Sequence, residues 1–282
     1  MRRLIALIAG LTLVACGGSQ SSLAVITLAA SRTVEAGTAR SVMSSTIKIQ
    51  GQEIRSRGEG EIDFEAQRGR MSMEMSGGPG AAAFGTTELI FDGLVIYMKS
   101  PAFSQIPGGK EWVSMDLAAM GDQMGFDMSA LQQLGQNDPT ASLYYLRGAK
   151  EVKEIGEEEV RGEPTTHYEA TINFDDAIAK SPEDIQASLR STLDQMKAWM
   201  GKDEMVFDVW LDGDGRMRRQ QMTFDYVSGP AAGTSADITI EMFDFGIPVE
   251  VSPPPASQVT DLQELIQQQQ GDTRKYTSTP NP

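Results

Sequence analysis

From residue 41 onward, apolar and polar residues alternate with a period of two through most of the chain. This period is typical of β-strands that bury one face. Glycine, proline and aspartate divide the alternation into segments, which predict strands over residues 41–50, 53–64, 69–76, 88–91, 94–99, 111–115, 150–155, 160–174, 205–211, 216–227 and 237–246. Short turns, for example at Asp92-Gly93 and at residues 156–159, predict consecutive antiparallel hairpins.

Two segments instead have the 3.6-residue period of amphipathic helices. In residues 23–39, one face carries Leu23, Ile26, Ala30, Thr33 and Val34. The second helix follows Ser181-Pro182, with serine as N-cap and proline at the first helical position. Its apolar side carries Ile185, Leu189, Leu193, Met196, Trp199 and Met200, and Gly201 ends it.

These elements predict an α+β fold, because many consecutive hairpins form one strongly curved antiparallel sheet. We expect the amphipathic helices to lie on the concave face of that sheet. A single domain is expected, since no linker divides the strands. After Pro253-Pro254-Pro255, the composition and the glutamine run at 267–270 indicate a mostly disordered tail, with one or two helical turns at 262–266.

Sixteen methionines distinguish the composition. Met71, Met73 and Met75 fall on one face of a predicted strand, where they form a flexible apolar wall. Residues 115–135 are also rich in methionine, are interrupted by glycines, and are followed by a short helix that begins at Asp138-Pro139. We interpret this segment either as a mobile cover over an apolar space or as a poorly packed connection.

The N-terminus has the features of a secretory leader. Arg2 and Arg3 precede an apolar run over residues 4–14 that is too short to span a bilayer. The run ends in Leu13-Val14-Ala15-Cys16, and small or polar residues follow over 17–22. These four residues resemble the bacterial lipobox [LVI]-[ASTVI]-[GAS]-C at every position. The resemblance implies that Cys16 is diacylated and becomes the mature N-terminus; an ordinary signal peptide with an incidental cysteine is the alternative.

The negative net charge limits the kinds of molecule that the protein can bind. The chain has a formal net charge of −15, and without Arg2 and Arg3 it keeps 22 basic against 39 acidic residues, a charge of −17. Nucleic acids and anionic lipid surfaces both require basic protein surface, so the charge argues against both. Attachment to a membrane must therefore come from acyl chains, of which two or more are needed for stable anchoring.

The residue types give no support for catalysis or metal binding. His167 is the only histidine, which excludes multi-histidine zinc sites, and no G-x-S-x-G nucleophile motif occurs. We expect His167 to face water, so that its replacement by alanine changes stability by less than ~0.5 kcal/mol. Asp212-Gly213-Asp214-Gly215 lacks the remaining ligands of an EF-hand and predicts a hairpin turn, while Glu157-Glu158-Glu159 predicts a solvated turn. The sequence therefore predicts no enzyme, cofactor or metal.

Several motifs resemble those of the LppX/LprAFG lipoprotein family. Residues 148–168 are similar to its "G-x-E-x-V-x-G-x-x-T-x-x-Y" hairpin, and residues 209–216 are similar to its "V-W-I-D-x-D-G-x" hairpin. The ending Phe243-Asp244-Phe245-Gly246-Ile247-Pro248-Val249, the lipobox and the order of elements also resemble the family. The resemblance implies a half-barrel, related to the LolA carriers, whose concave face encloses a hydrophobic cavity for acylated envelope lipids.

We therefore expect a signal peptide over residues 1–15, a flexible tether over 16–22, a half-barrel domain over 23–250 and a tail over 251–282. The first functional hypothesis is an envelope lipoprotein, anchored through Cys16, that transports or presents an acylated lipid or glycolipid. The lipid-binding cavity is expected to be lined by Met71, Met73, Met75, Ile185, Leu189, Leu193, Met196 and Met200. The second hypothesis is a structural or interaction lipoprotein whose own side chains fill the half-barrel. In both, we expect a monomer that binds no nucleic acid.

Overall fold

The structure is a computed structural model, and it describes residues 18–78, 81–103, 110–124, 149–181 and 183–263. Cys16, the leader, the helix predicted from Asp138 and the last 19 residues lie outside this described part.

Twelve strands of the described chain form one curved sheet that does not close into a barrel. Their bounds are β1 (Thr38–Ile49), β2 (Gln52–Asp63), β3 (Arg68–Ser76), β4 (Thr86–Asp92), β5 (Val95–Lys99), β6 (Trp112–Asp116), β7 (Ala149–Val160), β8 (Glu163–Asn173), β9 (Glu204–Leu211), β10 (Met217–Tyr226), β11 (Thr234–Phe243) and β12 (Val259–Asp261). The order across the sheet is β12-β6-β5-β4-β3-β2-β1-β11-β10-β9-β8-β7. All neighbours pair antiparallel except β12 and β6, which pair parallel.

Five helices accompany the sheet in the described ranges: α1 (Gly18–Glu35), α2 (Ala81–Phe84), α3 (Leu117–Met124), α4 (Phe174–Ala179) and α5 (Glu183–Met200). Helices α1, α4 and α5 pack against β7–β10 on one face, which we call the helix face; the opposite one is the outer face. The predicted fold class, an α+β half-barrel with helices on its concave face, is confirmed. No helix in the described residues is long and apolar enough to cross a bilayer.

A core cluster holds α1, α4 and α5 to β7–β10. Its buried members are Ile26, Ala29, Ala149, Val152, Tyr168, Ala170, Ile172, Phe174, Ala177, Ile178, Leu189, Leu193, Met200, Phe207, Val209 and Leu211. Alternate residues of β8 and β9 enter this cluster, as the period of two predicts. Burial of their apolar area is the main stabilising contribution to this half of the sheet.

The first helix differs from its predicted bounds at both ends. It begins at Gly18, so residues 18–22 of the predicted tether are helical, and it ends at Glu35 instead of residue 39. The helix ends before Gly37, which has a φ of +77°, a conformation that glycine adopts without strain. No proline interrupts the small and polar residues at its start, so they can join the helix.

The hairpin that joins β7 and β8 turns later than predicted. We expected the turn at residues 156–159, but β7 continues through them to Val160, and the turn is Arg161-Gly162. Both turn residues have positive φ, 56° and 81°, as a type I′ turn requires. Gly156 instead lies at an irregularity in the pairing between β7 and β8. Gly156 therefore marks a β-bulge and not the predicted turn.

The predicted disorder of the tail is wrong for its first part. After a 3-10 turn at Ala256–Gln258, strand β12 pairs with β6 and covers that edge of the sheet. The Lys110 ammonium donates to the carbonyl oxygens of Ala256 and Val259, at 3.3 and 2.8 Å. The β-branched pair Val259-Thr260, which favours a strand, was the available sequence signal.

Candidate functional site

The three methionines predicted to form an apolar wall lie together on β3. The register of the sheet places Met71, Met73 and Met75 on the helix face, opposite Gly60, Gly58 and Ser56 of β2. Met71 is 9 % exposed, whereas Met73 and Met75 are half-buried. On the other side, Met71 pairs with Leu89 and Met73 with Thr87 of β4. We call these three side chains the methionine wall.

Four of the residues predicted on the second helix lie in the core cluster or against it. Leu189, Leu193 and Met200 are buried there, and Met196 packs against it. The side chain of Ile185 lies outside the described part of the structure. This face of α5 therefore packs against β7–β10 and the neighbouring helices.

The methionine wall and the core cluster lie on the same face of the sheet, but they are separate groups. The core cluster, as described, includes none of the three wall methionines. Strands β2, β1 and β11 lie between β3 and β10, so the two groups stand ~19 Å apart along the sheet, at ~4.8 Å per strand. The predicted arrangement, in which α5 faces the wall directly across a cavity, remains a prediction.

Small side chains of β1 and β2, interrupted by Met43, cover part of the sheet between these two groups. On the helix face, Ser41 pairs with Gly60, Met43 with Gly58, and Ser45 with Ser56. The hydroxyls of Ser45 and Ser56 bond each other at 2.7 Å. We call the strip of Ser41, Ser45, Ser56, Gly58 and Gly60 the central furrow. It is bordered by Met242 and Ile240 of β11 on one side and by the methionine wall on the other.

Met71 lies over the furrow because Gly58 has no side chain. A Cβ atom at Gly58 would stand 2.5 Å from the sulfur of Met71. The contact is with the flexible end of a side chain, which can move aside. The central furrow was not predicted, although glycines at positions 58 and 60 of a predicted strand signal the close approach of another group.

A groove of about 900 Å³ lies over β11 and β1–β4 and is lined mostly by outer-face residues, but its lining also includes Ser41, Gly60, Met71 and Leu89 of the helix face. Its lining includes the charged side chains of Arg40, Glu59, Glu61, Arg70, Glu88 and Arg161. Arg70 pairs with Glu61 at 2.7 Å, and Arg161 pairs with Glu241 at 2.8 Å. These charged side chains do not suit an acyl chain, since contact with apolar groups would remove the charges from water.

His167 lies on the polar face of β8, as expected, but it does not face water. Only 12 % of its side chain is exposed. Its ring stacks on Trp210 with centroids 4.1 Å apart, and its nitrogens contact carboxylate oxygens of Glu158 and Asp208 at 3.1 and 2.8 Å. Trp210 donates to the other oxygen of Glu158, and this bond, with the contact to His167, lowers the pKa of Glu158 despite partial desolvation.

We therefore expect His167→Ala to destabilise the protein by about 2 kcal/mol, well above the cost expected from the sequence. The ring stacking and both carboxylate contacts would be lost. Chemical denaturation at pH 7 measures the change, and His167→Phe serves as the control that keeps a stacked ring without the polar contacts. A loss below ~0.5 kcal/mol for the alanine variant would restore the water-facing interpretation.

The Asp212–Gly215 segment is a hairpin turn, as predicted. The Asp212 carboxylate accepts hydrogen bonds from the backbone of Asp214 and Arg216 and from the Arg216 and Arg218 guanidiniums. Burial opposes ionisation of Asp212, but these hydrogen bonds outweigh it and lower the pKa of Asp212. In the described ranges, no three histidine, cysteine, aspartate or glutamate side chains converge to hold a metal ion.

No protein-family model matches the sequence. The chain is 28 % identical over 164 residues to an uncharacterized 31.2 kDa protein of Streptomyces griseus, covering 57 % of this chain and 51 % of that protein. It is 24 % identical over 170 residues to a protein of Streptomyces coelicolor that is provisionally named a lipoprotein, covering 59 % and 48 %. The chain spans about half the length of these two relatives.

The fold is similar to that of a solved lipoprotein. LppX from Mycobacterium tuberculosis superposes with a TM-score of 0.50, covering 83 % of this chain and 99 % of LppX at 13 % sequence identity. The resemblance to the LppX/LprAFG lipoproteins is therefore confirmed in the fold. Identity at this level does not carry a ligand from one protein to the other.

Proposed function

We propose that this chain, which has the fold of the LppX/LprAFG lipoproteins, binds the acyl chains of an envelope lipid or glycolipid on its helix face. The acyl chains would lie over the central furrow, between the methionine wall and the core cluster. Transport or presentation of that lipid at the membrane is the corresponding role. The proposal needs no catalytic group.

The central furrow is the observation that carries this proposal. Its short side chains are interrupted by Met43 on β1, and half-buried apolar side chains of the neighbouring strands border it, including Met73, Ile238 and Ile240. Each acyl methylene transferred from water to such a surface contributes ~0.8 kcal/mol. A long chain therefore binds firmly without a specific polar contact, and flexible methionines adapt to its shape.

A structural lipoprotein with a filled interior is the second candidate, and two observations favour it. Leu189, Leu193 and Met200 are already buried within the core cluster, and Met71 occupies the space above Gly58. In this candidate, the methionine side chains fill the interior of the protein, and no ligand displaces them.

Titration of the delipidated chain with cis-parinaric acid, a fluorescent fatty acid, separates the two candidates. The lipid-binding proposal predicts saturable binding near one site per chain, with competition by unlabelled long-chain lipids. A filled interior predicts no saturable binding, and that result would remove the proposal.

We further propose that Cys16 is acylated and anchors the protein to the membrane. The expected effect of Cys16→Ala is that the chain no longer partitions into the detergent phase, because the acyl chains supply the membrane affinity. Phase partitioning of wild type and variant, both expressed with the leader, measures this directly. A variant that enters detergent as fully as the wild type would contradict acylation at Cys16.

A further inference from the structure

Ser41 stands out among the residues of the central furrow. In the part of the chain that the structure describes, two buried side-chain hydroxyls have no hydrogen-bond partner, those of Ser41 and Thr192. Ser41 is 1 % exposed and lies on the helix face, between Gly60 of β2 and Met242 of β11. Buried hydroxyls in folded proteins are normally hydrogen-bonded, so this one requires an explanation.

The other two serines of the furrow do not share this property. Ser45 and Ser56 satisfy each other with a hydroxyl–hydroxyl bond of 2.7 Å. Ser41 has Gly60 as its partner on β2, and glycine offers no side-chain group in return. The furrow thus contains one satisfied hydroxyl pair and, four residues earlier on β1, one hydroxyl that is free to bond another molecule.

Met71 and Ser41 lie on either side of the same residue of β2. Met71 pairs with Gly60, which pairs in turn with Ser41 on β1. Its side chain rests over Gly58 through contacts of its sulfur and Cγ, the flexible part of the residue. Displacement of that side chain would open the furrow beside Ser41 without a movement of the backbone.

We propose that Ser41 binds the polar end of the acyl ligand, donating a hydrogen bond to its ester or carboxyl oxygen. The acyl chain then runs along the furrow over Gly58, in the space that Met71 leaves. This inference rests on the proposed function and narrows the ligand to acylated lipids with an oxygen acceptor at the head of the chain. A purely hydrocarbon ligand gains nothing from Ser41, because it has no acceptor.

Two probes test this proposal, cis-parinaric acid, which carries a carboxylate, and diphenylhexatriene, which carries no polar group. Ser41→Ala is expected to bind cis-parinaric acid about tenfold more weakly, the equivalent of one hydrogen bond, and to bind diphenylhexatriene as the wild type does. Ser44→Ala, on the same strand but on the outer face, is the matched control and should bind both probes normally.

The thermal midpoint of the ligand-free variant supplies the second readout. We expect Ser41→Ala to be as stable as the wild type or more stable, since an unpartnered buried hydroxyl is removed. A lower midpoint would show that the hydroxyl has a structural partner, such as a buried water, and would overturn the proposal.

The proposal would also be overturned if Ser41→Ala bound both probes as tightly as the wild type does, or if it bound both more weakly by the same factor. If the wild type binds neither probe, the proposed function itself fails, and that outcome is distinct from a failure of Ser41 alone.

Discussion

Leu193→Ala is expected to lower the free energy of unfolding by about 2–5 kcal/mol. Leu193 is 6 % exposed and lies in the core cluster, between helix α5 and the strands it covers. The substitution removes apolar contacts and leaves a cavity that close-packed neighbours fill only in part. Chemical denaturation followed by circular dichroism measures the change.

Leu28→Ala is the matched control, because it makes the same substitution on another helix. Leu28 lies on α1 and is 52 % exposed, so its loss should cost less than ~1 kcal/mol. Equal losses for the two variants would contradict the burial of α5 against the sheet. A loss below ~1 kcal/mol for Leu193→Ala would mean that this face of α5 borders open space, as the sequence predicts.

Asp212→Asn is expected to destabilise the protein by about 3 kcal/mol at pH 7. The Asp212 side chain is 5 % exposed, and its carboxylate pairs with the guanidiniums of Arg216 and Arg218 at 3.0 and 2.8 Å. Asparagine keeps the shape and an acceptor for the backbone, but it removes the anion that both guanidiniums share; Arg216 keeps its second partner, Asp214, whereas Arg218 loses its carboxylate. Asp214→Asn is the control in the same turn, since the Asp214 side chain is 71 % exposed.

The effect of Asp212→Asn should also depend on pH. Because the pKa of Asp212 is lower in the folded state than in the unfolded chain, its contribution is complete above the unfolded value and is lost as pH falls through the folded one. The stability difference between wild type and variant should therefore stay constant from pH 7 to 5 and shrink below about pH 4. A difference that grows on acidification would contradict the pairing of Asp212 with the arginines.

Periodicity predicted the fold well, because each element carries a local signal. The period of two placed the methionine wall on one face of β3, and the helical period placed Leu189 and Leu193 on one side of α5. The Asp212–Gly215 turn was also found, since Asp212 hydrogen-bonds its own backbone. The hairpin predicted at Asp92-Gly93 is present but shifted by one residue: Asp92 pairs with Val95, and the loop is Gly93-Leu94, with Gly93 at a φ of +59°.

The predictions were wrong where the structure of a segment depends on its pairing with residues far away in the sequence. Gly156 suggested a turn, but only the pairing of β7 with β8 distinguishes a bulge there from a turn at Arg161-Gly162. Strand β12 is three residues long and pairs with β6, about 145 residues earlier in the chain, so no local pattern shows its partner. His167 was assigned to the correct face, but its burial depends on Trp210, which is 43 positions away in the sequence.

The candidate site was predicted less completely than the fold. The sequence identified the apolar side chains on β3 and α5, but it did not indicate that three strands separate β3 from the nearest strand under α5. The order of the strands places the small residues of β1 and β2 between them, and that order depends on the long-range pairing of β1 with β11.

Native mass spectrometry of the exported chain, expressed without the Cys16 anchor and purified without detergent, tests the proposed lipid site most directly. The wild type should carry an additional mass that fragments to acyl chains. Gly58→Leu should lack that mass and remain folded, at the ~1–3 kcal/mol cost typical of overpacking, because the new side chain and Met71 together fill the space over the furrow. Ser44→Leu, with the same added side chain on the outer face, should keep the mass. A wild type without bound lipid, or a Gly58→Leu variant that retains it, would contradict lipid binding in the central furrow.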